Sequence, residues 1–327
     1  MTQAPDLIHY ADDQPGIRRE RRGRGFSYIA PDGTRINCAR ERKRINALAV
    51  PPAYENVWIS PKVNGHLQAT GRDVRQRKQY RYHADWTAFR ALTKFDALAD
   101  FGAMLPRIRR RVRRDLKEDV GTKDYAIAAL LALLDRAAIR VGTADYAAEN
   151  GTYGATTLKP RHLNLKDGEI RLSYTGKGGK KIRKRLRDQT LNRALNRLQD
   201  LPGAELVSWV DDTGAAHSIT ADAINATLYD ITDDDRLTAK TFRTWAGTVA
   251  AFDVALRDPD LTIKSMADAA ASRLANTPTI ARNSYIHPDV IALTDMPAED
   301  RAALIDPSNT TADLRQSETA LLHLLSR

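Results

Sequence analysis

The sequence has 327 residues, of which 42% are apolar and 28% charged, a composition typical of a globular protein long enough for two domains. Its 51 Lys and Arg residues outnumber its 41 Asp and Glu residues and leave a formal net charge of +10. No apolar run reaches the roughly 18 residues that a membrane span needs, and a single cysteine, Cys38, excludes an internal disulfide and a cysteine-rich metal site.

The first part of the chain, residues 1–90, is predicted to be a domain rich in β-strands. Its start, MTQAPDLIHYADD, lacks the positive and apolar regions of a signal peptide, which favours a cytoplasmic protein. The stretch FSYIAPDGTRI indicates a strand, a DG turn and a second strand, and NVWIS and GHLQAT predict further strands. Arginine-dense segments such as GIRRERRGRG suit a polyanionic partner, because each cation placed against a phosphate releases a counterion.

From Trp86 onward the pattern changes, and residues 91–327 are predicted to form a second, mainly α-helical domain. The segment DYAIAALLALLDRAAIRV at 124–141 has a continuous apolar face. Arg140 falls in the last predicted turn of this helix, where a cation also stabilises the helix C-terminus. The remaining helical patterns cover residues 188–200, 218–231, 238–256, 264–274 and 312–326.

One β-rich stretch interrupts the helical domain. HLNLKDGEIRLSYTGKGGKKIRKRL alternates apolar and polar residues and has turn signals at KDG and GKGG, so it predicts a small antiparallel sheet with Lys177 at a hairpin tip. The sequence around Lys177 lacks the GxxxxGK[ST] pattern, and nucleotide binding is therefore not expected. Taken alone, Lys177 also fits a solvated turn lysine.

Two segments near the carboxyl end hold further candidates for chemistry. LTAKTFRTWAGTVAAF places Lys240 and Arg243 three residues apart on one helical face, an arrangement in which a bound anion would relieve the repulsion between them. Thr277 and Pro278 predict the start of a short helix that carries Tyr285 near its end. A phenol with its usual pKa of about 10 is a poor nucleophile unless cations and hydrogen-bond donors surround it.

Together, Arg140, Lys177, Arg243, Asn276 and Tyr285 occur in an order and spacing that resemble those of the poxvirus-like, bacterial-type type IB DNA topoisomerases, relatives of the tyrosine recombinases. IRVGTADYAAENGTYGATTL is similar to the first-arginine block of that family, YTGKGGK to its catalytic-lysine hairpin and KTFRTW to its second-arginine block. GHLQATGRDVRQRKQYRYH resembles the amino-domain segment that faces the DNA major groove. The residues for which the resemblance implies DNA contacts are Arg77, Gln79, Tyr80, Tyr82, Tyr146 and Lys240.

The resemblance implies an α+β protein, with the β-rich domain and the helical catalytic domain forming a C-shaped clamp around duplex DNA. Tyr285 would attack a backbone phosphate to form a 3'-phosphotyrosine. Arg140 and Arg243 would stabilise the phosphorane-like transition state, and Lys177 would protonate the leaving 5'-oxygen, with help from Arg140 or Lys240.

The resemblance also implies which partners the protein needs. Supercoils would be relaxed without ATP, metal or any other cofactor, by a monomer acting on nucleoid DNA without a nucleotide or a membrane. The family usually has histidine where this chain has Asn276. An amide can donate a hydrogen bond to a phosphate oxygen, but it cannot supply the charge or proton of an imidazolium.

Two other functions remain open at this stage. A tyrosine recombinase would share the two arginines, Lys177 and Tyr285, but its second arginine is normally preceded three residues earlier by histidine, and Lys240 in that place favours a topoisomerase. A non-catalytic DNA-binding protein would fit if Asn276 marked a decayed active site. Should Tyr285 not be the nucleophile, Tyr174 and Tyr229 are the alternatives.

Overall fold

The structure is a computed structural model that describes residues 5–23, 25–74, 76–93 and 95–327, without the side chains of residues 90–92 and 146. The chain packs as two compact units, Met1–Lys94 and Phe95–Arg327. The predicted α+β class is confirmed, because the first unit is built on an antiparallel sheet and the second is mainly helical. Within the described ranges, no helix is long and apolar enough to cross a membrane.

The first unit contains a five-stranded antiparallel sheet with the strand order β2-β1-β3-β4-β5. Its elements are β1 (Ile17–Arg22), β2 (Gly25–Ile29), α1 (Ala39–Ala47), β3 (Glu55–Ile59), β4 (Leu67–Arg72), β5 (Lys78–Tyr82) and α2 (Ala84–Leu92). Helix α1 places Ile45 against one face of the sheet, where Ile17, Ile59 and Ala69 form the centre of a small apolar core. The predicted domain boundary at residue 90 falls inside α2.

The hairpin predicted at FSYIAPDGTRI was misplaced. β2 pairs with the arginine-rich strand β1 that precedes it, and after the DG turn only a single bridge joins Ile29 to Arg35. Asp32 accepts hydrogen bonds from the backbone N–H and the hydroxyl of Thr34, which closes the turn locally. β1 was not predicted, because its six residues include four arginines and only one buried apolar residue, Ile17, so the alternation that marks a strand is missing.

The second unit packs its helices around α4, whose apolar residues are almost all buried. Its helices are α3 (Leu98–Asp115), α4 (Lys123–Ala137), α5 (Ala144–Asn150), α6 (Gln189–Leu198), α7 (Ala221–Thr232), α8 (Thr241–Ala255), α9 (Ile263–Leu274), α10 (Pro278–Tyr285), α11 (Pro288–Ile291), α12 (Ala298–Ala302) and α13 (Gln316–Leu325). Its strands are β6 (Leu163–Lys166), β7 (Glu169–Thr175), β8 (Lys181–Arg187), β9 (Ser208–Val210) and β10 (Ala216–Ser218). β6, β7 and β8 form the predicted antiparallel sheet, and β9 pairs with β10.

Helix α4 ends earlier than its apolar periodicity predicts. Its last residue is Ala137, and Ala138 takes a left-handed conformation with φ 51°, so the prediction that Arg140 lies in the last helical turn was wrong. The carbonyls of Arg140 and Val141 instead accept hydrogen bonds from the N–H groups of Ala155 and Thr156, each at 2.8 Å. These bonds pair the carbonyls of the irregular segment after α4 with a distant part of the chain.

Two local predictions near the candidate residues are confirmed. The β7–β8 pairing reaches Thr175 and Lys181, and the turn between these strands carries Lys177. Thr277 caps α10 by accepting a hydrogen bond from the N–H of Ile280, and Tyr285 is the last residue of that helix.

Candidate active site

A cleft of about 290 Å³ opens on the surface of the second unit. The predicted residues that line it are Arg140, Lys177, Lys240, Arg243 and Tyr285. Asn276 joins them through its side-chain oxygen, which accepts a hydrogen bond of 2.8 Å from Arg140 Nη2. Residues up to 145 positions apart in the sequence, from Arg140 to Tyr285, are therefore brought to one site (285 − 140 = 145).

The backbone around Tyr285 is held closely against α8. The Thr248 hydroxyl donates to the carbonyl of Tyr285 at 3.1 Å and accepts from the N–H of His287 at 3.2 Å. A Cβ on Gly247 would lie 2.7 Å from the Tyr285 carbonyl oxygen, so only glycine permits this approach. Sequence analysis missed Gly247 and Thr248, although a glycine inside a predicted helix, directly after the second-arginine block, was a visible signal.

Arg243 is a buried cation, with 3% of its surface exposed. Its guanidinium donates to the carbonyl of Ala138, at the end of α4, and to that of Leu274, the last residue of α9, at 3.1 Å. The carboxyl ends of two helices thus stabilise its charge. Among the described residues it has no carboxylate partner and its Nε has no hydrogen-bond partner. A buried charge without a counterion attracts an anion from outside.

Tyr285 lies beside this cation. The Cζ atom of Arg243 is 5.2 Å from the centre of the Tyr285 ring. Burial by itself raises the pKa of the phenol, but the positive charges of Arg243, Arg140 and Lys240 outweigh it, and the net pKa of Tyr285 is lowered. The cleft therefore makes this phenol easier to deprotonate than a free tyrosine, and the phenolate is the nucleophilic form.

The two alternative tyrosines occupy less suitable places. Tyr174 is 5% exposed, and burial raises its pKa to about 12 despite the nearby arginines. Tyr229 lies on α7, away from the cleft, beside Asp233 and Asp234. Tyr174 is thus too buried to reach a substrate, and Tyr229 lies away from the cations of the cleft.

Arg140 lies in the irregular segment after α4, where the backbone at Gly142 packs closely against the backbone at Gly154. A Cβ on Gly154 would stand 2.5 Å from the N of Gly142 and 2.6 Å from the carbonyl oxygen of Arg140. This close approach fixes the backbone that carries Arg140. Because Asn276 uses its oxygen to accept from Arg140, its Nδ2 is left as a buried donor without a partner in the described part of the chain. Such a donor suits a phosphate oxygen.

Lys177 is exposed at the hairpin turn, followed by Gly178 and Gly179, which have φ values of 78° and 76°. Two lysines that sequence analysis missed tie the hairpin to the backbone at the end of α9 and just after it. Lys180 Nζ donates to the carbonyl of Asn276 at 3.1 Å, and Lys184 Nζ donates to that of Arg273. Burial, together with the charges of Arg273 and Arg243, lowers the pKa of Lys184 to about 8.

Lys240 is exposed and precedes α8 by one residue, while Arg243 is buried in the first turn of that helix. Both side chains line the cleft, so the predicted pairing of the two cations at one site is seen in the structure. Among the described residues, no group of three or more His, Cys, Asp or Glu side chains could hold a metal.

The residues predicted to contact DNA from the first unit lie on or near β5. Tyr80 and Tyr82 are each 47% exposed and stack with ring centres 6.1 Å apart. Gln79 points to the other face of the strand and donates to Asp73, which also forms an ion pair of 2.6 Å with Arg77. The side chain of Tyr146, which lies in α5, is outside the described part of the structure.

Comparison with known protein families assigns both parts of the chain. Residues 25–73 match the family described as "Bacterial DNA topoisomerase IB, N-terminal domain". Residues 78–279, more than half of the chain, match "Eukaryotic DNA topoisomerase I, catalytic core". The chain belongs to the type IB DNA topoisomerase family. The resemblance inferred from the motifs is thus confirmed. The match to the catalytic core includes every candidate residue of the cleft except Tyr285, which lies beyond the end of the match at residue 279.

Several curated proteins of the type IB topoisomerase family are similar to this chain. DNA topoisomerase 1B of Acanthamoeba polyphaga mimivirus is 31% identical over 195 residues, which cover 60% of this chain and 58% of the viral protein. DNA topoisomerase 1B of vaccinia virus (strain Copenhagen) and DNA topoisomerase I of monkeypox virus are each 26% identical over 124 residues, covering 38% of this chain and 39% of theirs. The chain therefore spans between about two fifths and three fifths of the length of these relatives.

Proposed function

We propose that this protein relaxes supercoiled duplex DNA by transient cleavage of one strand. The observation that carries the proposal is the pairing of Tyr285 with Arg243, a buried guanidinium without a carboxylate partner in the described structure, inside a cleft lined by three further cations. A site of this kind suits a negatively charged phosphate that is attacked by a phenolate. The names of the viral relatives, DNA topoisomerase 1B, agree with this chemistry.

In the cleavage step, the Tyr285 oxygen forms a bond to phosphorus and the bond from phosphorus to the 5'-oxygen breaks. The product is a 3'-phosphotyrosine and a free 5'-hydroxyl. Because the phosphodiester energy is kept in the new ester, the 5'-hydroxyl can attack it later and reseal the strand without ATP. Rotation of the cut duplex between the two steps removes supercoils.

The surrounding side chains have separate roles in this step. Arg140 and Arg243 stabilise the charge that develops on the nonbridging oxygens, and the free Nδ2 of Asn276 donates a hydrogen bond to one of them. Lys177 gives a proton to the 5'-oxygen as it leaves and recovers it on resealing, with Lys240 nearby as a second cation.

The proposal extends to the partners of the reaction. The substrate is duplex DNA of the nucleoid in the cytoplasm, contacted by Tyr80, Tyr82 and Arg77 of the first unit as well as by the cleft. One chain acts alone, and no nucleotide, metal or other cofactor takes part, since the guanidinium groups supply the positive charge that phosphoryl transfer requires.

The test is the relaxation of a plasmid that carries no paired recombination sites, in the presence of a chelator and without ATP. We expect a ladder of topoisomers at a substoichiometric amount of protein. A tyrosine recombinase would require two sites and a DNA-binding protein would give no change in linking number. Failure to relax the plasmid under conditions in which the protein binds it would overturn the proposal.

A further inference from the structure

The β6–β8 sheet buries one face and exposes the other. Ile170, Leu172 and Ile182 point into the core of the second unit, and the residues that alternate with them along β7 and β8 face solvent. β8 is an edge strand, because the strand order is β6-β7-β8. A half-exposed sheet of this size needs polar residues on its outer face, but it does not need charges of one sign.

Six of the ten side chains on the outer face of this sheet are nevertheless cationic, and the other four are Asn164, Glu169, Ser173 and Thr175. We call the following six side chains the basic sheet face: Lys166, Arg171, Lys181, Arg183, Arg185 and Arg187. The acidic residue on this face, Glu169, forms an ion pair with Arg171 and stands opposite Arg187 in the β7–β8 register. None of the other five cations has an ion pair within the described ranges.

The arrangement has an energetic cost. Arg171 stands directly opposite Arg185 in the β7–β8 register, and like charges in that position destabilise a sheet. Along β8 the cations at alternate positions also share one face. Edge strands are protected from aggregation by charged side chains, lysine above all, but that protection does not require a cation at every outward-facing position of the strand. The four outward-facing residues of β8, which form a row along that strand, are all cations: Lys181, Arg183, Arg185 and Arg187. Such a row points to a polyanion that offsets the repulsion.

The position of the row connects it to the cleft. Lys177 lines the cleft from the hairpin turn, and Lys181, the first residue of β8, follows only four positions later (181 − 177 = 4). From there the row extends to Arg187 over about 20 Å, at about 3.4 Å per residue. Over that distance one strand of duplex DNA carries about six phosphates.

We propose that the basic sheet face is an additional DNA-binding surface that contacts the phosphate backbone outside the cleavage cleft. This inference rests on the proposed function only in taking duplex DNA as the substrate. The contact is with phosphates, so it adds affinity and lengthens the bound segment without adding sequence preference. It also leaves the chemistry at Tyr285 unchanged, since none of the residues of the row lines the cleft.

The test compares two variants that each lose three positive charges, one from the row and one from other exposed positions. The variant Arg183→Gln/Arg185→Gln/Arg187→Gln is compared with Arg107→Gln/Lys117→Gln/Arg193→Gln. The second variant loses the same charge from exposed positions, on α3, just after α3 and on α6 respectively. Both are made in a Tyr285→Phe background, and binding is measured over a series of salt concentrations on duplexes of about one and about four helical turns.

On the long duplex, we expect the row variant to lower the slope of log K against log salt by about 2 to 3, at about 0.9 for each lost phosphate contact. The control variant should keep the wild-type slope on both duplexes, and the row variant should lose less on the short duplex, which extends only about 17 Å to either side of the cleft and ends part-way along the row. A wild-type slope for the row variant on the long duplex would overturn the proposal. So would equal losses on both duplexes, or self-association with unchanged binding, which would make the row an edge-protection device.

These results are separable from the proposed function. Binding in the Tyr285→Phe background does not depend on cleavage, so the slopes report on the row even if the nucleophile has been assigned wrongly. A plasmid that is bound but not relaxed by the wild-type chain would contradict the proposed function alone. With the Tyr285 hydroxyl restored, the row variant should cleave the short duplex at the wild-type rate when the enzyme is saturating.

Discussion

The helical side of the cleft buries its arginine, Arg243, whereas the hairpin side exposes its lysine, Lys177. On the helical side Arg243 is 3% exposed and donates to two helix ends, and Tyr285 is held by Thr248. On the hairpin side Lys177 is exposed, between Gly176 and Gly178, and the contacts that hold the hairpin come from Lys180 and Lys184 behind it.

This difference corresponds to two kinds of catalytic work. A group that stabilises charge on the phosphate is most effective when it is fixed before the substrate arrives, because no reorganisation is then needed. A group that delivers a proton must reach the leaving oxygen and exchange that proton with solvent in each cycle. The buried side suits the first task and the exposed side suits the second, and the following variants separate them.

The largest effect is expected from Tyr285→Phe, which removes the nucleophile from the helical side. Covalent attachment to DNA should disappear, because the hydroxyl that forms the bond to phosphorus is lost. Noncovalent binding should stay nearly unchanged, because the ring still packs beside Arg243. Denaturing gels measure the adduct, with Tyr229→Phe as the matched control that keeps it. An adduct that persists in Tyr285→Phe would place the nucleophile elsewhere.

Lys177→Ala tests the hairpin side. It should slow cleavage of ordinary DNA by about 10² to 10⁴, the usual size of a general-acid effect. In a substrate with sulfur in the bridging 5' position, the 5'-sulfur leaves as a thiolate without needing a proton. Lys177→Ala should therefore cleave that substrate at most of the wild-type rate. Single-turnover cleavage of the two substrates gives the comparison. Equal defects on both would make Lys177 a positioning residue and leave the proton donor to Arg140 or Lys240.

Arg243→Ala should slow cleavage by about 10² to 10³ on both substrates, because its charge acts on the nonbridging oxygens whichever atom leaves. It should also change the pH dependence. The charge of Arg243 helps to lower the pKa of Tyr285, so its removal should raise that pKa and move the rise of the rate to higher pH. Rate profiles between neutral and alkaline pH, with circular dichroism to check folding, test this. An unshifted profile would contradict the electrostatic role.

Gly247→Ala should impair the helical side without removing a chemical group. The added Cβ would stand 2.7 Å from the Tyr285 carbonyl oxygen and 2.9 Å from the Tyr285 Cβ, so the nucleophile must shift. A displacement of this kind should slow cleavage by about ten- to a hundredfold while DNA binding is kept. Gly25→Ala, where a Cβ would meet nothing within 4 Å, is the control. Wild-type cleavage by Gly247→Ala would show that the close approach has no catalytic consequence.

The smallest effect is expected at Asn276, where the two sides meet through Arg140 and Lys180. Asn276→His should be tolerated and should cleave within about tenfold of the wild-type rate, since a neutral imidazole can accept from Arg140 with one ring nitrogen and donate to the phosphate oxygen with the other, each bond being worth roughly 1 kcal/mol. Asn276→Ala should be slower than wild type. If the alanine variant cleaves at the wild-type rate, the side chain of Asn276 has no catalytic role.

The sequence by itself determined the features that depend on local chemistry. The alternation of apolar residues predicted β6–β8 and placed Lys177 at a turn, because strand period and turn residues are short-range signals. Thr277 and Pro278 predicted the start of α10, since capping involves neighbouring residues only. The order of the arginines, Lys177 and Tyr285 indicated the family before any contact was known.

Only the tertiary structure decided how these residues work together. α4 ends at a left-handed Ala138, and the segment after it makes backbone hydrogen bonds with Ala155 and Thr156, neither of which a local pattern predicts. The burial of Arg243, the close approach at Gly247 and the anchoring of the hairpin by Lys184 depend on segments far apart in the sequence. Local periodicity fixes which face of an element is apolar, but burial and charge at the site arise from long-range packing. Burial raises the pKa of Tyr285, and the positive charges that packing brings beside it, with Arg243 first among them, outweigh that effect and lower it.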